Sequence, residues 1–276
     1  MKIADAFKVE GFSAIVTGGA SGLGLGFTEA LVENGAQVTM LDVNPERIAA
    51  ETARLTGLGY DVRGVVVDVT DHPALDKAFD EAAALYGKID VVFANAGIDP
   101  GPGFLSGMAG GARPRNPEGA LENYADPRWE RVIDINLNGV FATLRAAARH
   151  MKPRKFGKIV VTTSIGSMLS EAGIGAAYMA AKAGAAHLMR NVALELAAYN
   201  ITVNAIAPGF FVTNIGGGHA HAREVQEQVS KVVPMHRVAF PEDIKGLALF
   251  LSSPASAYVT GVEIPIDGGW LLGSAD

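Results

Sequence analysis

The chain has 276 residues, 49% of them apolar, a formal net charge of -6 and no cysteine. The lack of thiols excludes a disulfide framework, a thiolate metal site and a cysteine nucleophile, and it fits a reducing compartment. The acidic balance excludes the basic stripe of a nucleic-acid surface, and neither a signal peptide nor a run of ~18 apolar residues is present, so the expectation is a cytoplasmic protein without nucleic-acid or membrane partners.

Short β-rich runs alternate with longer alanine-rich helical patterns. Seven candidate strands follow in order: FSAIVTG from Phe12, AQVTMLD from Ala36, DVRGVVVDV from Asp61, IDVVFANAG from Ile89, GKIVVTTS from Gly157, ITVNAIAPG from Ile201 and GVEIPIDGG from Gly261. Strands this uniformly apolar belong in a parallel sheet covered on both faces. The pattern predicts one α/β domain over 1–276, Rossmann-type and doubly wound, with a seven-stranded, mostly parallel sheet and helices on both faces. Two segments break the rhythm, a Gly/Pro-rich insert at about 99–124 and a loop at about 209–232 that opens with GFFVTNIGGGHAHA. Both follow strands, at the carboxyl edge where open α/β sheets bind ligands. Long loops in compact domains often form lids or binding loops. Phe104, Leu105, Met108, Phe210 and Phe211, facing Met168, Leu169 and Ile174, would then line an apolar pocket. Arg113 and Arg115 of the insert are read as a solvated loop face. His219 and His221 mimic a metal pair but lack a third ligand, and no metal is expected.

TGGASGLGLG leads straight from the first strand into the helical pattern FTEALVENG. Glycine lets the backbone turn sharply and approach a pyrophosphate, which free amides and the dipole of a helix N-terminus stabilise. Gly18, Ser21, Gly22, Leu23 and Gly24 are the candidate contacts. The spacing is T-G-x-x-x-G-x-G, because Phe27 stands where G-x-G-x-x-G requires its last glycine. Asp42 ends the second strand, where a carboxylate accepts bonds from both ribose hydroxyls and repels a 2'-phosphate, which selects NAD over NADP. Arg47, beyond Pro45, is read as one half of a surface pair. Asp68, after the third strand, suits either an adenine contact, with the Val69 amide on the ring, or a plain helix N-cap.

In AAYMAAKAG, Tyr178 and Lys182 stand four apart and share one helix face. Taken alone the pair is weak. The ordered set TGGASGLG, ANAG at 94–97, INLNG at 135–139, Ser164, YMAAK and NAIAPGFFVT, however, resembles the short-chain dehydrogenase/reductase family in its compact single-domain branch, from about Val9 to Gly269. ANAG departs from the more usual Asn-Asn-Ala-Gly only at its first position and keeps Asn95, which in the family steadies the central strand beside the cofactor.

The resemblance implies an NAD-dependent enzyme with Asn136, Ser164, Tyr178 and Lys182 as catalytic residues. Tyr178 would be the general base, since a nearby cation favours phenolate and lowers its pKa by about 1 to 3. Tyr178 and Lys182 would also touch the cofactor, Lys182 through the nicotinamide ribose. Ser164 would bond the substrate oxygen, although a strand-end serine is often only a helix cap. Asn136 would hold a water linking Lys182 to solvent, the plainer reading being a polar residue in a helix kink. Phe211 and Thr213 would meet the nicotinamide carboxamide. The resemblance also implies a homo-oligomer, a tetramer, in which the helical segments VFATLRAAARHM and GAAHLMRNVALELAAY could pair between subunits. The expected reaction moves a hydride between a hydrophobic, cyclic or aromatic secondary alcohol and NAD, giving the ketone. A sugar, polyol or 3-oxoacyl thioester is the alternative substrate. An epimerase would need a further C-terminal domain, and an enoyl reductase a wider Tyr–Lys spacing. A non-catalytic NAD sensor would have lost Ser164, Tyr178 or Lys182, and all three are present.

Overall fold

The computed structural model describes residues 2–98, 101–106 and 113–273. After a short helix α1 (Ile3–Ala6), strands and helices alternate as β1 (Ser13–Thr17), α2 (Gly22–Val32), β2 (Gln37–Asp42), α3 (Pro45–Gly57), β3 (Val62–Val66), α4 (His72–Tyr86) and β4 (Val91–Ala94). The insert leads to α5 (Asp126–Ile133), a π-turn at Asp134–Asn138 and α6 (Gly139–Met151). Then come β5 (Gly157–Thr162), α7 (Ala176–Leu196), β6 (Ile201–Pro208), α8 (Arg223–Val232), α9 (Glu242–Ser252) and β7 (Glu263–Ile266). All seven expected strands form, and all pair in parallel in the order β3-β2-β1-β4-β5-β6-β7.

Side chains on a strand alternate between faces, and here both faces are buried. Ile15, Val92, Ile159 and Val203 pack with residues of α4, α6 and α7, while Ala14, Val16, Val91, Phe93 and Val160 pack with residues of α2 and α9. Phe27 of α2 stacks on Phe93 of β4 with ring centroids 4.5 Å apart. The two cores explain why the strands read as continuous apolar runs. No described helix is long and apolar enough to cross a membrane.

The described part of the insert folds back on the segment before α7. Gly103 N donates to Gly173 O at 3.1 Å, Leu105 N to Ala172 O at 3.0 Å, and Gly175 N to Gly101 O at 3.2 Å. Pro102 bridges Ile174, and Leu105 bridges Arg115, both antiparallel.

Below the sheet, at the amino ends of the strands, the buried carboxylate of Asp90 accepts from Ser13 N at 3.0 Å and from Arg154 Nη2 at 2.7 Å, with Lys88 Nζ at 2.9 Å. It ties β1 and β4 to the end of α6. Replacing it leaves a buried amide without an acceptor, which typically costs about 1–3 kcal/mol. Asp90→Ala is expected to lower the urea midpoint accordingly with an unchanged slope, measured by equilibrium denaturation.

Candidate active site

The strand order reverses between β1 and β4, and at such a point the loops that leave neighbouring strands diverge to opposite faces and open a crevice. A cavity of about 400 Å³ lies there, lined by residues that follow β1 to β6. Asp42 and Arg47, after β2, mark one end. Ser164, Tyr178, Thr213 and Ile215, from beyond β5 and β6, mark the other.

Gly18 has φ +64, and a Cβ there would stand 3.0 Å from Ala96 Cα; one on Gly24 would overlap the Gly18 carbonyl oxygen. The loop can therefore press against the end of β4 only without side chains. Ser21 caps α2 in extended conformation with no side-chain bond, and the first turn carries no acidic residue. The amides of Gly22, Leu23 and Gly24 are thus left for an anion. Asn95 holds the loop from the other side: its Nδ2 donates to Thr17 O at 2.9 Å and to Gly18 O at 3.3 Å, and its Oδ1 accepts from Thr162 Oγ1 at 3.0 Å.

Asp42 is buried, with Oδ2 accepting from Ala20 N at 3.3 Å and Oδ1 from Asn44 N at 3.1 Å. Arg47 corrects the sequence expectation. Asn44 caps α3 by accepting from Arg47 N at 2.9 Å, so Arg47 sits in the first helical turn, lines the cavity, and makes no ion pair among the described residues. Asp68 is exposed on the cavity wall, and its Oδ1 accepts from Thr70 N at 2.9 Å and Thr70 Oγ1 at 2.8 Å. The N-cap of α4 is Asp71, which accepts from Ala74 N at 3.0 Å, so the capping alternative for Asp68 does not hold. Val69 is buried beside it.

At the other end Lys182 is 3% exposed, and its Nζ donates to Thr162 O at 2.8 Å. The same ammonium lies 5.5 Å from the centroid of the Tyr178 ring. Burial disfavours the charged form and pulls the Lys182 pKa down to about 8. Asn136 is fully buried; its Nδ2 donates to Val132 O at 3.2 Å, while its Oδ1 has no partner. A Cβ on Gly97 would meet that Oδ1 at 2.7 Å and Lys182 Nζ at 3.6 Å, so acceptor and ammonium face one small space beside Gly97. The π-turn over Asp134–Asn138 turns Asn136 inward; such bulges cluster at functional sites. Ser164 is both cap and cavity residue: its Oγ accepts from Gly166 N at 3.1 Å, which leaves its proton to donate.

Phe211 and Thr213 line the cavity, and Thr213 packs over Gly22. Phe210 does not; it packs with Val225 and Trp270 on a separate small core around Val229. The expected apolar lining is also corrected. Among the described residues neither Phe104, Leu105, Met168, Leu169 nor Ile174 lines the cavity, because the insert is committed to the segment before α7. Met108 lies outside the described residues. Arg113 pairs with Glu171 at 2.7 Å, and Arg115 lies 6.0 Å from the Phe104 ring centroid. His221 Nε2 bonds Asn214 Oδ1 at 3.0 Å, and no described cluster of His, Cys, Asp or Glu could hold a metal. Sequence reasoning missed Ile98, Arg131, Ile135, Asn214 and Ile215 on the cavity wall. Arg131 stands one turn before Ile135 and so on the same helix face, the signal that could have found it.

The sequence model of a family described as enoyl-(acyl carrier protein) reductase matches residues 18–271. The 3-oxoacyl-[acyl-carrier-protein] reductase FabG of Chlamydia pneumoniae is 34% identical over 259 residues, covering 94% of this chain and 96% of that protein. Cis-4-hydroxycyclohexanecarboxylate dehydrogenase of Sinomonas cyclohexanicum is 37% identical over 258 residues, 93% and 95% of the two chains. Among solved structures, a gluconate 5-dehydrogenase from Burkholderia cenocepacia J2315 in complex with NADP and tartrate superposes with a TM-score of 0.85 at 31% identity, covering 98% of this chain and 99% of that one. With these relatives, the glycine turn at the strand-order reversal and the Tyr178–Lys182 pair beside it, the chain belongs to the short-chain dehydrogenase/reductase family and is an oxidoreductase of that type.

Proposed function

We propose that this chain, acting as one domain over 1–276, oxidises a cyclic secondary alcohol to its ketone with NAD. The observation that carries the reading is the buried Lys182 ammonium 5.5 Å from the Tyr178 ring, in one cavity with Ser164. The site suits a dinucleotide: the glycine cradle would be filled by any Cβ, the amides of α2 are uncapped, and the Asn136 Oδ1 is an acceptor awaiting a partner.

Gly18, Ser21, Gly22, Leu23 and Gly24 would hold the pyrophosphate, Asp42 the adenosine ribose, and Asp68 and Val69 the adenine. Asn95, Phe211, Thr213 and the Tyr178–Lys182 pair would flank the nicotinamide half. Bound nicotinamide supplies the hydride acceptor. Tyr178 then takes the hydroxyl proton, Lys182 favouring its phenolate by charge. Ser164, its acceptor side occupied by Gly166 N, donates its proton to the substrate oxygen. The proton on Tyr178 leaves by way of Lys182 and Asn136, whose Nζ and Oδ1 both face Gly97.

NAD is favoured over NADP by the Asp42 carboxylate, which the Ala20 and Asn44 amides aim at the ribose end. The cyclic alcohol is supported by the Sinomonas relative, whose name specifies a hydroxycyclohexane carboxylate. The gluconate dehydrogenase neighbours support a polyol as the second reading. A homotetramer is proposed from the family and from Trp129, Phe141 and Leu194, which stay exposed on α5, α6 and α7; light scattering at micromolar concentration is expected to give four times the chain mass, and a monomer refutes it.

Wild type with NAD and cyclohexanol, cis-4-hydroxycyclohexanecarboxylate or gluconate, run in both directions, is expected to give sustained change in NADH absorbance with a cyclic substrate. Turnover of gluconate alone favours the polyol. Tyr178→Phe is expected to lower kcat by at least about a hundredfold while NAD affinity, measured by fluorescence titration, is kept. Asp42→Ala is expected to weaken NAD by roughly tenfold to a hundredfold, the loss of a charge-assisted bond, and to raise the NADP-to-NAD ratio of kcat/KM. Equal effects on both cofactors would remove Asp42 from cofactor choice.

A further inference from the structure

β7 is the edge strand beyond β6, and it opens with Glu263, whose side chain is only 3% exposed. A carboxylate so deeply buried needs partners. It has two, on different elements. Arg190 Nη2 of α7 donates to Oε2 at 2.8 Å, and Ser167 Oγ donates to Oε1 at 2.5 Å. Neither Glu263, Arg190 nor Ser167 lines the cavity.

Ser167 closes the three-residue 3-10 turn Ile165–Ser167, of which Ser164 is the N-cap. The backbone of that turn bonds Ser167 N to Ser164 O at 2.9 Å, and Ser167 Oγ stands 2.6 Å from the same carbonyl oxygen. One hydroxyl proton is thus shared between the carbonyl of Ser164 and the carboxylate of Glu263. A single 3-10 turn has poor hydrogen-bond geometry and little rigidity of its own. The stiff parts are the β6–β7 ladder, where Glu263 pairs with Ala205, and α7, which carries Arg190 on the same helix as Tyr178 and Lys182. The Ser167 hydroxyl fastens the turn to both.

We infer that Glu263, clamped by Arg190, is a positioning residue that holds the turn Ile165–Ser167 through the Ser167 hydroxyl and so sets where the Ser164 hydroxyl stands relative to Tyr178. The inference rests on the proposed alcohol oxidation for its kinetic consequence. Its geometric content stands apart from that reading. A link that acts only through Ser164 disappears when the Ser164 hydroxyl is absent. A link that merely supports the fold does not.

The test combines Glu263→Gln, Ser167→Ala and Ser167→Thr with Ser164→Ala in double-mutant cycles, using NAD and whichever panel alcohol wild type oxidises fastest. Ser167→Ala and Glu263→Gln are each expected to lower kcat about tenfold with NAD affinity unchanged. Ser167→Thr, which keeps the hydroxyl, is expected to restore most of the rate. In the Ser164→Ala background the same changes are expected to alter kcat by less than about twofold. Equal losses in both backgrounds, or no loss in wild type, overturn the inference. If Glu263→Gln does not fold, Ser167→Ala carries the cycle alone. A wild type inactive on every alcohol overturns the proposed function instead, and crystal structures of wild type and Ser167→Ala then decide. A Ser164 Oγ displaced by more than about 0.5 Å, the tolerance of a preorganised site, supports the positioning role, and one that stays in place overturns it.

Discussion

The amide of Asn95 joins the two halves of the sheet at the point where they part. Its nitrogen donates to the carbonyls of Thr17 and Gly18 on the glycine loop, and its oxygen accepts from Thr162 on β5. Thr162 in turn offers its carbonyl to the Lys182 ammonium. A single line of hydrogen bonds therefore runs from the backbone that would cradle a pyrophosphate to the cation beside Tyr178. Each member is at least half-buried, so its bonds act in a low dielectric and leaving any of them unmade is costly. A parallel sheet that splays at its strand-order reversal would otherwise leave these carbonyls without partners.

The second constraint is electrostatic. Lys182 lies in a buried space with no carboxylate among the described residues to offset it, and burial drags its pKa to about 8. The described groups that face it are neutral: the Thr162 carbonyl, the Tyr178 ring and the Asn136 oxygen. An ammonium whose described partners are neutral keeps its field for an anion beside it, which in the proposed reaction would be the Tyr178 phenolate. A carboxylate in that position would hold the lysine charged but cancel the field. In the proposed reaction the arrangement would give up some stability of the charged lysine for influence over Tyr178, a trade typical of functional sites.

The insert relates to this site at one remove. Its backbone bonds to residues 172 to 175 and the half-buried Arg113–Glu171 pair fasten it to the segment that leads into α7. The described part of it therefore braces the entry to the helix that carries Tyr178 and leaves the cavity wall to Ile98, Ile135 and Ile215. Arg47 and Arg131 reach the same cavity without ion pairs among the described residues, two guanidinium groups in a protein whose net charge is -6.

The sequence by itself determined most of the sheet, because strands buried on both faces are predominantly apolar, and the five inner runs β1, β2, β4, β5 and β6 are so buried and alternate with helical patterns. It also determined the glycine turn and the Tyr178–Lys182 face, since both follow from local backbone geometry and helical spacing. From the local residues alone Asn136 read only as a polar residue in an apolar helix, its role coming from the family resemblance, because a π-turn changes which way a residue points without altering composition. Arg47 was misread because its direction depends on the Asn44 cap and on what the first turn of α3 overlooks. Phe104 and Leu105 of the insert were misread as pocket lining because apolar residues mark burial without naming the partner. Glu263 left no signal at all: a lone acid in a short strand becomes a buried anchor only when β7 closes the sheet beside α7, and contacts at such sequence separation belong to the tertiary structure alone.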